Sequence, residues 1–317
     1  MQKKRKAILK GEKPVWRRRA AVAAVVLAVI VVLGFVIVRS LLQAPEIKFS
    51  LKAAIVDQLG GEVPNPDFGD TGVVANMLRS TGFDVTYYSN ETVNVAFYRG
   101  LAKYNYGLII LRSHAALRED GSTVDIFTNE RYDGNKYVSD QNNGLLTKGS
   151  YSWRPEEYFA ISPKFVENLE GTFPKSVVIA MGCHTMNNTI EEMAEAFAGK
   201  GVKIYVGWSG LVGYSQTDNN TVELMKRLLI QNKTLALATQ GLNDPTQGSV
   251  MNYYPPDAGG MGISYLISEA KSSLVAHVFA ENSEPQLMRA ANQCFQIPVR
   301  PNCVVKRFSR LETVAYS

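Results

Sequence analysis

The sequence predicts an α/β domain built on a mostly parallel sheet and preceded by one transmembrane helix. Short apolar segments alternate with segments of helical periodicity along the middle of the chain, and each apolar segment is hydrophobic throughout. Strands of that kind are buried on both faces, as in a parallel sheet covered by helices. Near the N-terminus, a long uncharged apolar run indicates a membrane span.

The N-terminal apolar run extends from Ala20 to Val38. As a helix it reaches roughly 28 Å, which suits a hydrocarbon core of about 30 Å. The nineteen residues before it contain nine lysines and arginines and one acid, and few basic residues follow it. The positive-inside rule therefore keeps the N-terminus in the cytoplasm. We expect a single-pass cell-membrane protein whose globular domain is extracytoplasmic; a cleaved signal peptide is the alternative interpretation.

The charge distribution argues against a nucleic-acid surface. The net charge is +5, but the first nineteen residues carry +8, so the rest of the chain balances at −3. Basic groups beside a membrane span meet anionic lipid headgroups. Because no stripe of Lys and Arg interleaved with aromatic residues follows, we expect a membrane contact through residues 20–38 and no nucleic-acid partner.

The expected organisation follows these composition changes. It comprises a basic cytoplasmic tail (1–19), the membrane span (20–38), a linker (39–50), the α/β domain (51–281) and a C-terminal segment of unassigned role (282–317). The chain has three cysteines, Cys183, Cys294 and Cys303. The last two could pair in an oxidising compartment, which would leave Cys183 as an unpaired thiol. The sequence fixes neither that pairing nor the oligomeric state.

The predicted elements alternate between strand and helix. The strands are Lys52–Leu59, Phe83–Tyr88, Tyr106–Arg112, Ser176–Met181 and Val202–Trp208. The helices are Thr71–Ser80, Asn94–Lys103, Pro163–Leu169, Thr189–Ala198, Asn219–Ile230 and Thr234–Gly241. The polar, aromatic segment 120–158 shows short alternating patches that are typical of one or two β-hairpins.

Side chains suited to nucleophilic catalysis follow two of these strands. In an open parallel sheet, ligands bind beyond the carboxyl ends of the strands, where the third strand delivers His114 and the fourth delivers Cys183. An imidazole beside a thiol can activate it and then protonate a leaving amine. The backbone N–H groups of Ala115 and Cys183 could bind the oxyanion. The alternative is that Cys183 is a small buried residue and His114 a hydrogen-bonded one.

Three segments, GLIILRSHA, SVVIAMGCHTM and EEMAEAFAGKGVKIYVGWSG, occur in this order. Together they resemble the caspase-like cysteine peptidases, a superfamily that includes caspases, metacaspases, legumain and the gingipains. In that superfamily one apolar strand ends in the catalytic His, and a later one ends in a small residue and the catalytic Cys. The resemblance covers roughly residues 52 to 240. It implies a caspase-like three-layer sandwich and a cysteine endopeptidase that cleaves a peptide or protein substrate without a cofactor.

The resemblance assigns catalytic roles to individual residues. His114 matches the general acid/base and Cys183 the nucleophile. The oxyanion donors would be the backbone N–H groups of Ala115 and Cys183. Ala115 stands where the family usually has Gly, which leaves open a catalytically inactive domain that binds or signals. His184, directly after the nucleophile position, is interpreted as a bystander.

The resemblance also suggests substrate-binding positions, namely Asp57, Trp208 and Ser209. Asp57 matches the position of an acid in members that cleave after basic residues, and a carboxylate facing a P1 Arg or Lys is chemically sensible. Asp57 could equally order its own loop, and Trp208 could belong to the core.

No metal site is expected. The loop acids Glu62, Asp67 and Asp70 fit no defined calcium spacing, and the three histidines of the chain form no zinc motif. A further alternative is a ligand-binding α/β module of a surface receptor, with Cys183 structural and a cleft lined by the Tyr-rich insert. Fold class alone does not separate these functions.

Overall fold

Two β-sheets organise the protein in a computed structural model that describes residues 29–35, 48–151, 154–187 and 189–273. Its strands are β1 (Lys52–Asp57), β2 (Asp84–Tyr88), β3 (Leu108–Arg112), β4 (Ala115–Leu117), β5 (Val124–Arg131), β6 (Leu146–Tyr151), β7 (Arg154–Ile161), β8 (Val177–Ala180), β9 (Ile204–Trp208), β10 (Asn243–Asp244) and β11 (Ser249–Tyr254). Seven of them form one sheet in the order β10-β11-β9-β8-β3-β1-β2, and the other four form a second sheet in the order β4-β5-β7-β6.

Helices connect the strands of the two sheets. They are α1 (Val73–Ser80), α2 (Val95–Gly100), α3 (Val138–Asn142), α4 (Pro163–Glu167), α5 (Glu192–Gly199), α6 (Tyr214–Met225) and α7 (Leu235–Thr239). Helix α6 continues as a π-helical turn over Lys226–Ile230, and residues 263–273 are also helical. Side-chain caps start two of them, because Asn94 accepts a hydrogen bond from the N–H of Phe97 and Ser162 accepts one from the N–H of Phe165.

Hydrophobic cores lie on both faces of the larger sheet. Alternate residues of β1 belong to different cores, with Ala54 and Val56 in one and Ala53 and Ile55 in the other. Helices α2, α4 and α5 contribute to the first core, and α1, α6 and α7 to the second. Since each central strand must fill two apolar environments, it is hydrophobic at nearly every position. This explains the uninterrupted apolar segments in the sequence.

The predicted α/β class with a mostly parallel sheet is confirmed. Strands β2, β1, β3, β8 and β9 run parallel in the described sheet. The edge strands β10 and β11 were not among the predicted elements. They pair antiparallel, with β11 lying against β9. Their sequence is short and interrupted by polar residues, as is usual where only part of a strand is buried.

The second sheet arises from the segment predicted to contain hairpins. It is antiparallel in all of its pairings. Only Ser113 and His114 separate the end of β3 from the start of β4. His114 therefore lies where the chain passes from the parallel sheet to the antiparallel one.

The chain divides between Ile47 and Lys48 into two units. In the N-terminal unit, residues 29–35 are helical. The rest of the expected span 20–38 lies outside the described residues, as do the cysteines at 294 and 303. No helix within the described ranges combines the length and the hydrophobicity needed to cross a bilayer.

Candidate active site

His114 and Cys183 line the same cleft, which has a volume of about 320 Å³. Strands β3 and β8 are parallel neighbours, so the residues that follow their carboxyl ends meet at one edge of the sheet. The sequence predicts this meeting from the strand ends alone. The remaining lining residues are Ala115, Ala116, Leu117, Phe127, Ser150, Tyr151, His184 and Leu211.

Gly182 allows the two strand ends to approach closely. A Cβ atom at this position would lie 2.7 Å from the carbonyl oxygen of Ser113 and 2.8 Å from the backbone nitrogen of Ala115. Only a residue without a side chain fits such a contact without displacing the backbone. The turn that carries Cys183 is thereby held against the segment that carries His114.

The imidazole of His114 is held by polar and aromatic groups. Its Nε2 lies 3.3 Å from Oε2 of Glu62 and 3.5 Å from the hydroxyl of Tyr214, which donates to Oε1 of the same Glu62. The ring centroid of Tyr151 lies 4.7 Å from that of His114 in an edge-to-face arrangement. The backbone N–H of His114 donates to Oε1 of Gln58 at 3.0 Å. These contacts fix both the position and the orientation of the ring.

Glu62 also binds a cation. Arg154 lies 2.8 Å from Oε2 of Glu62, and its guanidinium lies 4.0 Å from the centre of the Tyr151 ring. Glu62 and Arg154 line a second cavity of about 210 Å³. One carboxylate thus connects the imidazole to a guanidinium that comes from the antiparallel sheet.

The pKa of His114 is lowered from its ordinary value. Burial of the ring is the main cause, because it disfavours the charged form, and the charges of Arg154 and Arg112 act in the same direction. The charge of Glu62 and its hydrogen bond oppose this shift. At neutral pH the imidazole is therefore uncharged and able to accept a proton.

Removing the charge of Glu62 is expected to lower the pKa of His114 further. In Glu62→Gln the ring keeps a hydrogen-bonding neighbour but loses the carboxylate that favours the imidazolium. NMR titration of the histidine ring protons measures this pKa, and Glu91→Gln, which removes a fully exposed carboxylate, is the control. An unchanged or raised pKa of His114 in Glu62→Gln would contradict this coupling.

The thiol of Cys183 is partly buried and bonded to the backbone. Its Sγ lies 3.5 Å from the nitrogen and 3.7 Å from the carbonyl oxygen of Val212. Burial raises the pKa of the thiol. The sequence places a helix shortly after this cysteine, but α5 begins only at Glu192. Because the helix dipole acts within about one turn, α5 does not lower the thiol pKa.

Ala115 has a backbone conformation that accepts a side chain. It begins the strand β4, and it is not among the described residues with positive φ. The alanine at this position therefore introduces no backbone strain where the caspase-like family usually has Gly. Its N–H group belongs to the segment that packs against Gly182.

Asp57 is engaged in a buried ion network and does not line the cleft. Its Oδ1 lies 2.7 Å from Arg112, which also binds Asp218 through two nitrogens at 2.8 Å. The hydroxyl of Tyr87 donates to the other oxygen of Asp57. Arg112 is completely buried. These contacts fit the structural alternative for Asp57, since its carboxylate already has a cationic partner.

Trp208 and Ser209 are also outside the cleft lining. Trp208 is fully buried, and its indole N–H donates to Oγ1 of Thr217 at 2.9 Å. The hydroxyl of Ser209 accepts a hydrogen bond from the N–H of Val250. The chain just beyond them reaches the site, because Leu211 forms part of the cleft wall.

His184 lies on the cleft wall with φ +60°. Its N–H donates to the carbonyl of Gly210 at 2.8 Å, which ties the cysteine turn to the loop after β9. Burial lowers the pKa of its ring. The interpretation of His184 as a bystander stays a prediction.

The sequence does not identify the groups that surround His114. Glu62 lies in the loop after β1, five residues beyond the strand end at Asp57, so the rule that directs attention to strand ends does not include it. Nothing in the sequence pattern singles out Arg154 or Tyr214, since they come from the inserted sheet and from the start of α6.

Comparisons with known proteins do not assign this chain to a family. No protein-family model and no curated protein matches the chain. Among solved structures, the chain is similar to protein GSU0716 from Geobacter sulfurreducens, with 14% identity over 66% of this chain and 96% of that one, at a TM-score of 0.35. A likeness at that level carries no argument about fold or function.

Proposed function

We propose that this chain is a membrane-anchored cysteine endopeptidase with a caspase-like three-layer sandwich, in which Cys183 is the nucleophile and His114 the general acid/base. The observation that carries the proposal is the single cleft lined by both side chains at the ends of adjacent parallel strands. The resemblance of the three strand-end segments supports it. The anchor would be residues 20–38, with the domain on the extracytoplasmic side.

The reaction would begin from an uncharged pair. Since burial raises the pKa of the thiol and lowers that of the imidazole, neither group is ionised at neutral pH. As Sγ of Cys183 bonds to the scissile carbonyl carbon, His114 accepts the thiol proton. The N–H groups of Ala115 and Cys183 would donate to the oxyanion of the tetrahedral intermediate.

The same imidazole completes the cycle. His114 gives its proton to the leaving amine as the C–N bond breaks, which leaves a thioester on Cys183. Water then attacks the thioester carbonyl and passes a proton to His114, which returns it to the departing sulfur. Glu62, 3.3 Å from Nε2, stabilises the imidazolium in both halves of the cycle.

A catalytically inactive binding module is the second candidate. The environment of Cys183 favours it. The thiol is partly buried, its pKa is raised, and its sulfur accepts a hydrogen bond from the N–H of Val212. A thiol that serves only to fill space would have these properties too. The two functions differ in whether His114 influences the reactivity of the sulfur.

Alkylation by iodoacetamide distinguishes them. The full-length chain is used in detergent, and Cys183→Ala supplies the background from Cys294 and Cys303. We expect the labelling rate of Cys183 to rise with pH through the neutral range and beyond, because the thiol pKa is raised. At pH 7, His114→Gln should slow labelling by about tenfold, since a neighbouring base promotes the thiolate. Equal rates in wild type and His114→Gln would support the binding module.

A further inference from the structure

We infer that the residue on the acyl side of the scissile bond, P1, carries an uncharged apolar side chain of the size of leucine or phenylalanine. This inference rests on the endopeptidase activity proposed above. It replaces the basic P1 residue that the position of Asp57 suggests from the sequence. The cleft that contains the thiol, and not the network around Asp57, would receive the P1 side chain.

The cleft presents mainly carbon atoms. Leu117, Phe127 and Leu211 line it together with Ala115 and Ala116. Phe127 and Tyr151 are buried, and their ring centres lie 5.2 Å apart in an edge-to-face pair. Such a pair makes a rigid apolar wall. Leu211 is 54% exposed and forms the side of the cleft that is open to solvent.

No carboxylate, lysine or arginine lines this cleft within the described part of the chain. The ionisable groups that do are His114, His184, Cys183 and Tyr151. Burial lowers the pKa of both imidazoles, so they are neutral at neutral pH. A charged P1 side chain would therefore lose water without gaining a counter-charge, which is strongly unfavourable.

The charged groups near the cleft already have partners. The carboxylate of Asp244, whose charge acts on Cys183, accepts hydrogen bonds from the N–H of Gly213 and the hydroxyl of Thr246. The carboxylate of Asp57 binds Arg112, and that of Glu62 binds Arg154, His114 and Tyr214. Arg154 lines the separate polar cavity. Recruiting any of them to P1 would break an ion pair or hydrogen bonds that are at least partly buried. Both basic and acidic P1 side chains are disfavoured for the same reason.

The size of the cleft also limits the side chain. A volume of about 320 Å³ lies at the low end of ligand pockets, which span about 300–1,000 Å³, and part of it must hold the scissile carbonyl. That leaves room for one medium-sized apolar group. A leucine or phenylalanine side chain of an extended peptide has this size and polarity.

Peptidyl chloromethyl ketones that differ only at P1 test the inference. In each reagent Sγ of Cys183 displaces chloride from the methylene carbon to form a thioether, and the thiol proton passes to His114. Labelling of Cys183 in the full-length chain is followed by mass spectrometry with Leu, Phe, Lys or Asp at P1. We expect the Leu and Phe reagents to react at least about tenfold faster than the Lys and Asp reagents.

The outcomes separate the inference from the function on which it depends. A Lys or Asp reagent that reacts as fast as the Leu reagent would overturn the apolar preference and leave the endopeptidase standing. If none of the reagents labels Cys183 while iodoacetamide does, the endopeptidase itself is wrong, and the P1 assignment falls with it.

A matched pair of leucine variants locates the P1 side chain. Leu211→Asp places a carboxylate in the cleft wall, whereas Leu237→Asp places one at an equally exposed residue of α7 that does not line the cleft; both leucines are 54% exposed. We expect Leu211→Asp to shift the ratio of Lys to Leu labelling rates towards Lys by about tenfold, and Leu237→Asp to leave it unchanged. Thermal unfolding midpoints confirm that both variants fold. An unchanged ratio in a folded Leu211→Asp variant would overturn the placement of P1 in this cleft.

Discussion

Cys183→Ala is expected to lower kcat/KM for peptide cleavage by about 10³-fold or more. Without the sulfur no acyl-enzyme forms, and only substrate binding and the oxyanion donors remain to assist attack by water. The measurement is hydrolysis of fluorogenic peptides with Leu at P1 by the full-length protein. Because Cys183 touches the backbone of Val212, the thermal midpoint of the variant should also be compared with that of wild type.

Another cysteine provides the control for this loss of activity. Cys294→Ala changes a cysteine outside the described residues and should leave kcat/KM unchanged. Cys183→Ser, which keeps the shape of the side chain but replaces the thiol with a much weaker acid, should behave like the alanine variant. Full activity in Cys183→Ala would mean that the nucleophile lies elsewhere.

Arg112→Met is expected to reduce the free energy of unfolding by about 3–5 kcal/mol. The guanidinium is completely buried and is shared by Asp57 and Asp218. Its removal leaves two buried carboxylates without a cation, and burying an uncompensated charge is far costlier than losing a surface ion pair. Urea denaturation of the full-length chain, followed by near-ultraviolet circular dichroism, measures the difference.

An exposed ion pair is the control for this effect. Arg79 binds Asp70 on the surface, with side chains 38% and 62% exposed, so Arg79→Met should change stability by no more than about 1 kcal/mol. If Arg112→Met is as mild as Arg79→Met, the buried network does not stabilise the sheet edge.

The Arg112→Met variant should also recover stability as the pH falls. Burial already raises the pKa of Asp57 with the cation present, and loss of Arg112 removes the charge that opposes this shift. A carboxyl group whose pKa is higher in the folded state than in the unfolded state contributes most below its unfolded value. That contribution is lost as the pH rises through the folded value. A stability difference from wild type that does not shrink towards acidic pH would contradict this explanation.

The sequence predicts the parallel sheet because strands that are buried on both faces are hydrophobic at nearly every position. It also brings His114 and Cys183 to one edge, since both follow apolar strands and parallel strands share the direction of their ends. That reasoning needs no knowledge of loop conformation. It therefore fails where loops decide the outcome, as with Glu62, which contacts the imidazole from the loop after β1.

The sequence also does not show which charged residues are buried. Arg112 occupies the end of an apolar strand, where a charged residue is normally taken to mark emergence into solvent. The structure instead buries it between two aspartates that lie far from it in sequence, one of them in α6. A sequence pattern cannot reveal this pairing. The substrate-binding role of Asp57 rests on the resemblance to the caspase-like peptidases alone and stays a prediction.

The short connection that carries His114 makes the position of the imidazole a property of both sheets. Two residues span at most about 7 Å, so the antiparallel sheet cannot tilt against the parallel one without moving this ring relative to the sulfur. Arg154 and Tyr151, from the far end of the same antiparallel sheet, contact Glu62 or His114 and would move with it. Substitutions that shift the inserted sheet are therefore expected to displace the imidazole of His114 as well.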